Sequence, residues 1–360
     1  MVCMKRFPGW ICAAGLAGCN MLVPGNLPRP ADLEAAGVRL GEAVLQKSVW
    51  LDAPDLGEIT SITDAGTRGV LVAGTSGAGY AKDGVLGDRV AWKERLAHVE
   101  PVDVEGDGQW EYLDRGGHGW QGAALVDGGG GLRFRPATGQ GVDDMAAGAL
   151  DGDGRLDFVV GYNGGSGVAR YDAGGHELWR QDDSNVWHVE IVDTDADGVA
   201  EIVHSNAAGK LTIRDASGRV VRRLDPPGPY FSEFSLVRWP RSAQPRPLHA
   251  GDGFLWITDY SGAVAARLDA PGVASLGDAH ATPVRFGNED WLAAVVEFSH
   301  WDRSVVYVFA AAGKLAYHEV AMGACRPLVP APTGNGDDLL LGCGTRIWRY
   351  RVATRPPPPR

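Results

Sequence analysis

The chain has 360 residues, 44% of them hydrophobic, enough for a sizeable core, and its 51 glycines require many turns. Lys+Arg 34 against Asp+Glu 45 gives a formal net charge of -11, and no run of basic residues is present. That balance argues against a nucleic-acid partner and against an anionic membrane surface.

Residues 1–18 read as a secretion signal. Lys5 and Arg6 supply the positive region, an apolar stretch from Phe7 to Ala17 follows, and Leu16-Ala17-Gly18-Cys19 closes it. The stretch is too short to span a bilayer as a helix. Leu-Ala-Gly-Cys resembles the lipobox of bacterial lipoproteins, which implies cleavage before Cys19, a lipid on its sulfur and an acylated amine. The alternative is an ordinary signal peptide or a short anchor with a chance cysteine. Asn20 stands where an inner-membrane lipoprotein often carries Asp, so the resemblance implies the outer membrane, facing the periplasm or the cell surface. Residues 19–42, with Pro24, Gly25, Pro28 and Pro30, read as a tether, and 31 to 43 as one or two helical turns.

From 43 to 354 the pattern is short strands and turns, such as Val70-Leu71-Val72-Ala73 and Phe158-Val159-Val160. Three acidic loops recur at roughly 45 residues, a period of repeat architectures. They are Asp103-Val104-Glu105-Gly106-Asp107-Gly108-Gln109-Trp110-Glu111, then Ala149 to Asp157 with Asp151, Asp153 and Asp157, then Asp193-Thr194-Asp195-Ala196-Asp197-Gly198-Val199-Ala200-Glu201. Acids at positions 1, 3, 5 and 9 put carboxylate oxygens around one point, as a hard cation such as calcium requires. These acids are expected to converge without a Lys or Arg partner. Asn335, Asp337 and Asp338 offer a weaker set.

Hairpin turns run in phase with the loops: Lys82-Asp83-Gly84, Val126-Asp127-Gly128, Tyr171-Asp172-Ala173-Gly174, Arg214-Asp215-Ala216-Ser217-Gly218, Thr258-Asp259-Tyr260-Ser261-Gly262 and Ala310-Ala311-Ala312-Gly313. Each repeat is then four antiparallel strands, the blade of a β-propeller. Ala149-Leu150-Asp151-Gly152-Asp153-Gly154-Arg155-Leu156-Asp157-Phe158-Val159-Val160-Gly161 resembles the FG-GAP/VCBS repeat of integrin-like propellers, clearly over about 100 to 265. The resemblance implies calcium on the loop between the two innermost strands. The expected fold is all-β, a seven-bladed propeller with six or eight blades as alternatives. Its last blade takes three strands from Pro327 to Val352 and a fourth from Val44 to Leu51, closing the ring and covering the edges. Residues 355–360 form a Pro-rich tail.

Of five cysteines, Cys3 and Cys12 leave with the signal and Cys19 takes lipid, so the mature fold keeps Cys325 and Cys343. They lie nine residues either side of Gly334. Antiparallel pairing about that loop would set them opposite one another and allow a disulfide in an exported compartment.

No His-Glu-x-x-His, Gly-x-Ser-x-Gly or Cys-x-x-Cys occurs, and Gly74-Thr75-Ser76-Gly77-Ala78-Gly79 lacks the context of a phosphate loop. Loops on the face opposite the acidic ones carry His118 and Trp120, Tyr162 and Asn163, Trp187 and His188, His204 and Asn206, Tyr230 and Phe231, and His300 and Trp301. Aromatic and amide groups at a propeller mouth suit a glycan or peptide, though several can equally pack between blades. The functional expectation is a monomeric, calcium-stabilised, lipid-anchored envelope propeller that binds a protein or glycan. One alternative is a polysaccharide lyase, with His188 or His204 as base beside Arg115. Another is a scaffold lipoprotein of an outer-membrane assembly.

Overall fold

The computed structural model describes residues 38–40, 43–116, 122–136, 141–225, 231, 233–239, 242–273, 278–298, 303–333 and 336–354. Among these described residues the regular structure is strand, apart from two short 3-10 helices, Pro54–Leu56 and Gly66–Arg68. Among the described residues no helix is long and apolar enough to cross a membrane. The expected signal peptide, Cys19 and the tail at 355–360 lie outside the described residues. Of the expected tether, Val38–Leu40 is a strand paired with Ala43–Asp52, where helical turns were expected.

Five antiparallel four-stranded sheets follow one another along the chain. The first holds Ile59–Asp64, Val70–Gly74, Gly77–Lys82 and Val85–Ala91; the second Val99–Val102, Glu111–Asp114, Ala124–Val126 and Leu132–Phe134. Val142–Gly148, Asp157–Tyr162, Val168–Tyr171 and Glu177–Gln181 make the third. The fourth is Val186–Val192, Glu201–Asn206, Leu211–Arg214 and Val220–Leu224, and the fifth Ser235–Val237, Arg246–Gly251, Phe254–Thr258 and Val264–Asp269. The remaining strands form one curled nine-stranded sheet. Within it, a meander of Asp278–Phe286, Glu289–Phe298, Arg303–Ala310 and Leu315–Met322 meets the strands Cys325–Thr333, Gly336–Cys343, Arg346–Thr354, Ala43–Asp52 and Val38–Leu40. The two parts join through one residue pair, Phe286 with Gly336.

Burial is greatest in the second and third strands of a sheet and falls at the fourth. In the third sheet Asp157–Tyr162 and Val168–Tyr171 are buried throughout, whereas Glu177–Gln181 has no buried residue. Middle strands are covered on both faces by neighbouring sheets and therefore bury successive residues, in apolar runs such as Phe158-Val159-Val160. Ala146, Val159 and Val168 of the third sheet pack on Val186, Val189 and Ile202 of the fourth, each fully buried valine or isoleucine contributing about 1.5–3 kcal/mol. The approach there is close. A Cβ on Gly161 would lie 2.7 Å from Val186 Cγ1, and one on Gly148 2.6 Å from Ile191 Cγ2.

The third and fourth strands of four sheets are joined by one recurring turn. Asp127, Asp172, Asp215 and Asp259 each accept hydrogen bonds from the amides two and four residues on, which satisfies the turn's own donors and sets the hairpin's register. At the chain ends, Ala43–Asp52 pairs with Arg346–Thr354, with Leu45 opposite Val352 and Val49 opposite Trp348. Lys47, buried, meets the buried Glu319 of Leu315–Met322 at 3.1 Å and lies 4.5 Å from the centre of the Trp348 ring. Cys325 and Cys343 are opposite one another, Cα–Cα 4.2 Å, and form a disulfide. From Thr333 paired with Gly336, an unbroken ladder would face Cys325 with residue 344; a shift between Cys325 and Leu328 corrects this. Pro327, which has no N–H to donate, sits at that shift.

Candidate functional site

Each acidic loop joins the first and second strands of its sheet, so the second, third and fourth sheets present them on one face. In the fourth, one carboxylate oxygen from each of Asp193, Asp195 and Asp197 lies within 4.8 Å of the others. The Asp193 carboxylate accepts from the amides of Ala196 at 2.7 Å and Gly198 at 3.0 Å, and Ala196 takes φ 66° to allow it. Glu201 accepts from the Thr194 amide at 2.8 Å and hydroxyl at 2.7 Å. The loop is therefore shaped by its own backbone, with a donor set of carboxylates that suits an oxygen-preferring cation.

The other two loops differ in one respect. In the second sheet Asp103 accepts from the amides of Asp107 and Gly108, but Arg133 pairs closely with Glu105 and reaches Glu111 at 3.2 Å. In the third, Arg170 donates to Asp151 at 2.9 Å and to Asp157 at 2.7 Å, while Arg155 pairs with Asp153 at 2.9 Å. The expectation of acids without an arginine partner holds for neither. Arg133 and Arg170 come from strands 22 and 13 residues beyond the acids Glu111 and Asp157 that they bind, a distance over which sequence proximity says nothing. Of the weaker set, Asp337 accepts from the Arg285 amide at 2.7 Å and Asp338 pairs with Arg351 at 2.6 Å, whereas Asn335 lies outside the described residues.

The aromatic and amide groups expected at the opposite mouth separate into two kinds. Tyr162, 1% exposed, shares its hydroxyl with Tyr171 at 2.6 Å. His204 is fully buried and accepts from Arg214 Nε at 3.0 Å; burial and that guanidinium pull its pKa to about 4. Asn206 donates to Asp183 at 3.1 Å, and Phe231 packs on His249 with ring centres 4.4 Å apart. These four serve packing between sheets: Tyr162, His204 and Asn206 belong to second strands covered on both faces, and Phe231 is buried in the apolar cluster of Val203, Ile213 and Phe234. Asn163 donates to Asp143 at 3.0 Å and, like Trp187 and His188, is half-buried. His118, Trp120, Tyr230, His300 and Trp301 lie outside the described residues.

The first strands enclose an axial cavity of about 410 Å3. Through Thr60, His98 and Arg326 it adjoins a second cavity of about 500 Å3, bounded also by Glu58, Arg95 and Glu297. Thr75, in the turn between the second and third strands of the first sheet, lines this second cavity and places it on the face opposite the acidic loops. The axial wall is ionic. Arg115 donates Nε and Nη2 to the two oxygens of Asp144, both at 2.9 Å, and reaches Glu100 and Glu190 at 3.2 Å. His188 meets Asp144 through Nδ1 and Glu190 through Nε2, each at 2.9 Å. Across the cavity Arg326 pairs with Glu297, with Asp278 at 3.3 Å and with His98 Nδ1 at 3.3 Å.

These contacts set the protonation states. Burial pulls the His188 pKa down, but the Asp144 and Glu190 carboxylates outweigh it and raise it to about 10. Burial also opposes the charge on Asp144, yet Arg115 and His188 hold its carboxyl well below the carboxylate range. Burial, then Arg326 and Arg115, push His98 well below the histidine value, so it is neutral. Burial, then Asp278, push Glu233 well above the carboxyl range. Arg115 and His188, weighed in the sequence as a neutraliser and a base, therefore do converge; His204 does not. Asp144, Glu190 and Asp278, absent from the sequence-based candidates, complete the wall.

Successive four-stranded meanders whose first strands surround an axial cavity, with burial declining to the rim, define a β-propeller. The chain is an all-β protein of that class. Among solved structures it is similar to BBS1N in complex with ARL6DN, in a mercury-soaked crystal, at 12% identity and TM-score 0.56, covering 88% of this chain and 98% of that one. A lead-soaked crystal of the same complex gives 13% identity and TM-score 0.51, covering 86% and 97%. At these identities the likeness concerns the fold. No protein-family model matches the sequence, and no curated protein matches it.

Proposed function

We propose that this propeller is a partner-binding module of the cell envelope, lipid-anchored at Cys19 and stabilised by calcium, whose partner docks over the axial mouth opposite the acidic loops. The observation that carries the reading is the 500 Å3 cavity at that mouth, where Glu58 and Arg95 present side chains 39% and 72% exposed above a wall of fixed ion pairs. Polar groups on short connections anchored by rigid strands favour specific recognition over adaptable contact. A protein is the preferred partner and a glycan the alternative. The similar structures, in which BBS1N is bound to ARL6DN, agree with a protein. The Asp193, Asp195 and Asp197 loop is the calcium site; calcium fixes blade geometry there and does not touch the partner.

The FG-GAP/VCBS reading of the repeats and the seven-blade count belong to the same proposal. Seven apolar clusters among the described residues support the count. One of them joins the meander 278–322 to the strands that follow it, through Val284, Val295 and Val306 against Leu45, Leu339 and Tyr350. On this reading the two parts of the nine-stranded sheet are two further blades, packed against each other through that cluster.

A lyase is the second reading, favoured by the meeting of Arg115 and His188 at Asp144. It is the weaker one. A base must be unprotonated, and His188 is held as a cation between two carboxylates while Arg115 is already saturated by three.

The test is affinity capture from an envelope extract by the mature domain, beside an Arg95→Glu variant. Loss of one specific protein with the variant supports the reading. Retention of every captured protein by the variant, or turnover of an acidic glycan that depends on His188, contradicts it. An outer-membrane assembly protein as the captured partner would make the propeller a scaffold. For the anchor, Cys19→Ser should move the protein from the membrane to the soluble fraction.

A further inference from the structure

We propose that in the second and third blades a guanidinium group holds the place of the metal ion, so that the chain takes one calcium, on loop 193–201, and none on 103–111 or 149–157. The proposal rests on the calcium reading above and sharpens it.

Both arginines bind the same two loop positions. Numbering each loop from its first residue, Arg133 bridges Glu105 and Glu111, at positions 3 and 9. Arg170 bridges Asp151 and Asp157, again positions 3 and 9. One convergent cation therefore spans the carboxylates that a loop-bound metal would need, in two blades independently. A calcium ion added to either loop would meet a fixed positive charge at hydrogen-bond distance from its own ligands. For the third blade this charge cannot swing away cheaply, because the Arg170 side chain is only 9% exposed and also donates to the Ala216 carbonyl at 3.0 Å. Two further facts weaken that loop: position 1 is Ala149, which has no ligand atom, and position 5, Asp153, is engaged by Arg155.

The strand registers show why the fourth blade differs. Tyr112 pairs with Val126, Phe158 with Tyr171 and Ile202 with Arg214. One residue back along the third strands, Leu125, Arg170 and Ile213 are therefore equivalent. On the fourth strands, Leu132 and Phe134, Glu177 and Trp179, and Val220 and Arg222 face matching partners. The residues between them, Arg133, Leu178 and Val221, are equivalent in turn. The second blade thus places an arginine at one of these two sites and the third blade at the other. The fourth has Ile213 and Val221, neither of which carries charge. Among the described residues no arginine or lysine pairs with Asp193, Asp195 or Asp197, and these are the acids left for a metal.

Equilibrium dialysis of the full chain against radiolabelled calcium tests this. The expected count is one ion per chain, falling to none in the Asp195→Asn, Asp197→Asn double variant and rising to two when Arg170→Met is combined with Arg155→Met, which also frees Asp153. Arg133→Met, at a side chain 33% exposed and less demanding of the fold, should also give two and covers the case in which the Arg170→Met combination does not fold. A wild-type count of two or three overturns the proposal while leaving the calcium reading intact. A count of one in wild type and in both folded arginine variants also overturns it. No ion in wild type but one in an arginine variant supports the role of the guanidinium and sinks the calcium reading of loop 193–201. No ion in any of them sinks both.

Discussion

Arg115 and Asp144 face each other through two parallel hydrogen bonds, Nε to Oδ1 and Nη2 to Oδ2, both 2.9 Å, and so tie the second blade to the third at the axis. Asp144 also accepts from the Val189 amide of the fourth blade at 2.8 Å, and Arg115 donates to the Val189 carbonyl at 2.7 Å. Three blades are joined at one point. Removing the guanidinium leaves a buried carboxylate short of its main partner, which costs about 3–5 kcal/mol. Arg115→Met should lose that much in urea denaturation, and Arg115→Lys should recover little of it, because an ammonium cannot reproduce the planar fork.

Stability should depend on pH at both ends for reasons the axial wall supplies. His188 has its pKa raised from 6.5 to about 10, so its contribution is fully present below about pH 6.5 and is lost as pH rises through 10. At ~1.4 kcal/mol per tenfold change in proton affinity this amounts to about 3–5 kcal/mol. Asp144 works in the opposite sense: its pKa is depressed, so its contribution is present above its ordinary value of 3.8 and is lost as pH falls. Denaturation midpoints followed from pH 7 to 10.5 should fall in the wild type and fall less steeply in His188→Gln. Equal slopes would mean that His188 is neutral in the folded protein.

Lys47 and Glu319 hold the N-terminal strand in place with a buried ion pair of 3.1 Å, to which the Tyr350 hydroxyl adds a hydrogen bond on Glu319. Breaking one side should cost about 3–5 kcal/mol, whereas replacing both partners by apolar groups of similar size should be nearly neutral. Lys47→Met is thus expected to destabilise strongly and Lys47→Met with Glu319→Met and Tyr350→Phe, which leaves no buried hydroxyl without its acceptor, to regain most of the loss. Thermal melting of both variants checks this.

The Cys325–Cys343 bond closes a segment with a sequence separation of 18, for which the loss of freedom in the unfolded chain is worth about 3 kcal/mol. Cys325→Ser with Cys343→Ser should lower stability by that order without altering the far-ultraviolet spectrum. Since both cysteines lie in the sheet that also receives Ala43–Asp52, proteolysis should begin in that sheet in the variant.

Strand-and-turn organisation was legible because it depends on local chemistry. Asp127, Asp172, Asp215 and Asp259 announce their hairpins, and the acidic loops their place between first and second strands. The cysteine pairing was legible from spacing alone, although the shift at Pro327 that completes it was not. What escaped was pairing across distance. Arg133 and Arg170 sit in strands whose sequence gives no sign that they fold back on the acids. The aromatic candidates failed differently, since Tyr162, His204 and Phe231 look alike in sequence whether they face solvent or the next blade. One signal was present and unused. Glu100, Asp144, His188 with Glu190, and Asp278 with His280 are titratable residues in the first strands of the second, third and fourth sheets and in Asp278–Phe286, and an innermost strand has only the axis to accommodate them.

The claim that a partner docks at the mouth opposite the acidic loops is tested most directly by site-specific photocrosslinking in cells, with the reactive residue placed at Arg95 beside the 500 Å3 cavity or at Val199, 52% exposed on the acidic-loop face. The account predicts one adduct of defined mass from position 95 and none from 199. An adduct from 199 without one from 95, or none from either, would contradict it.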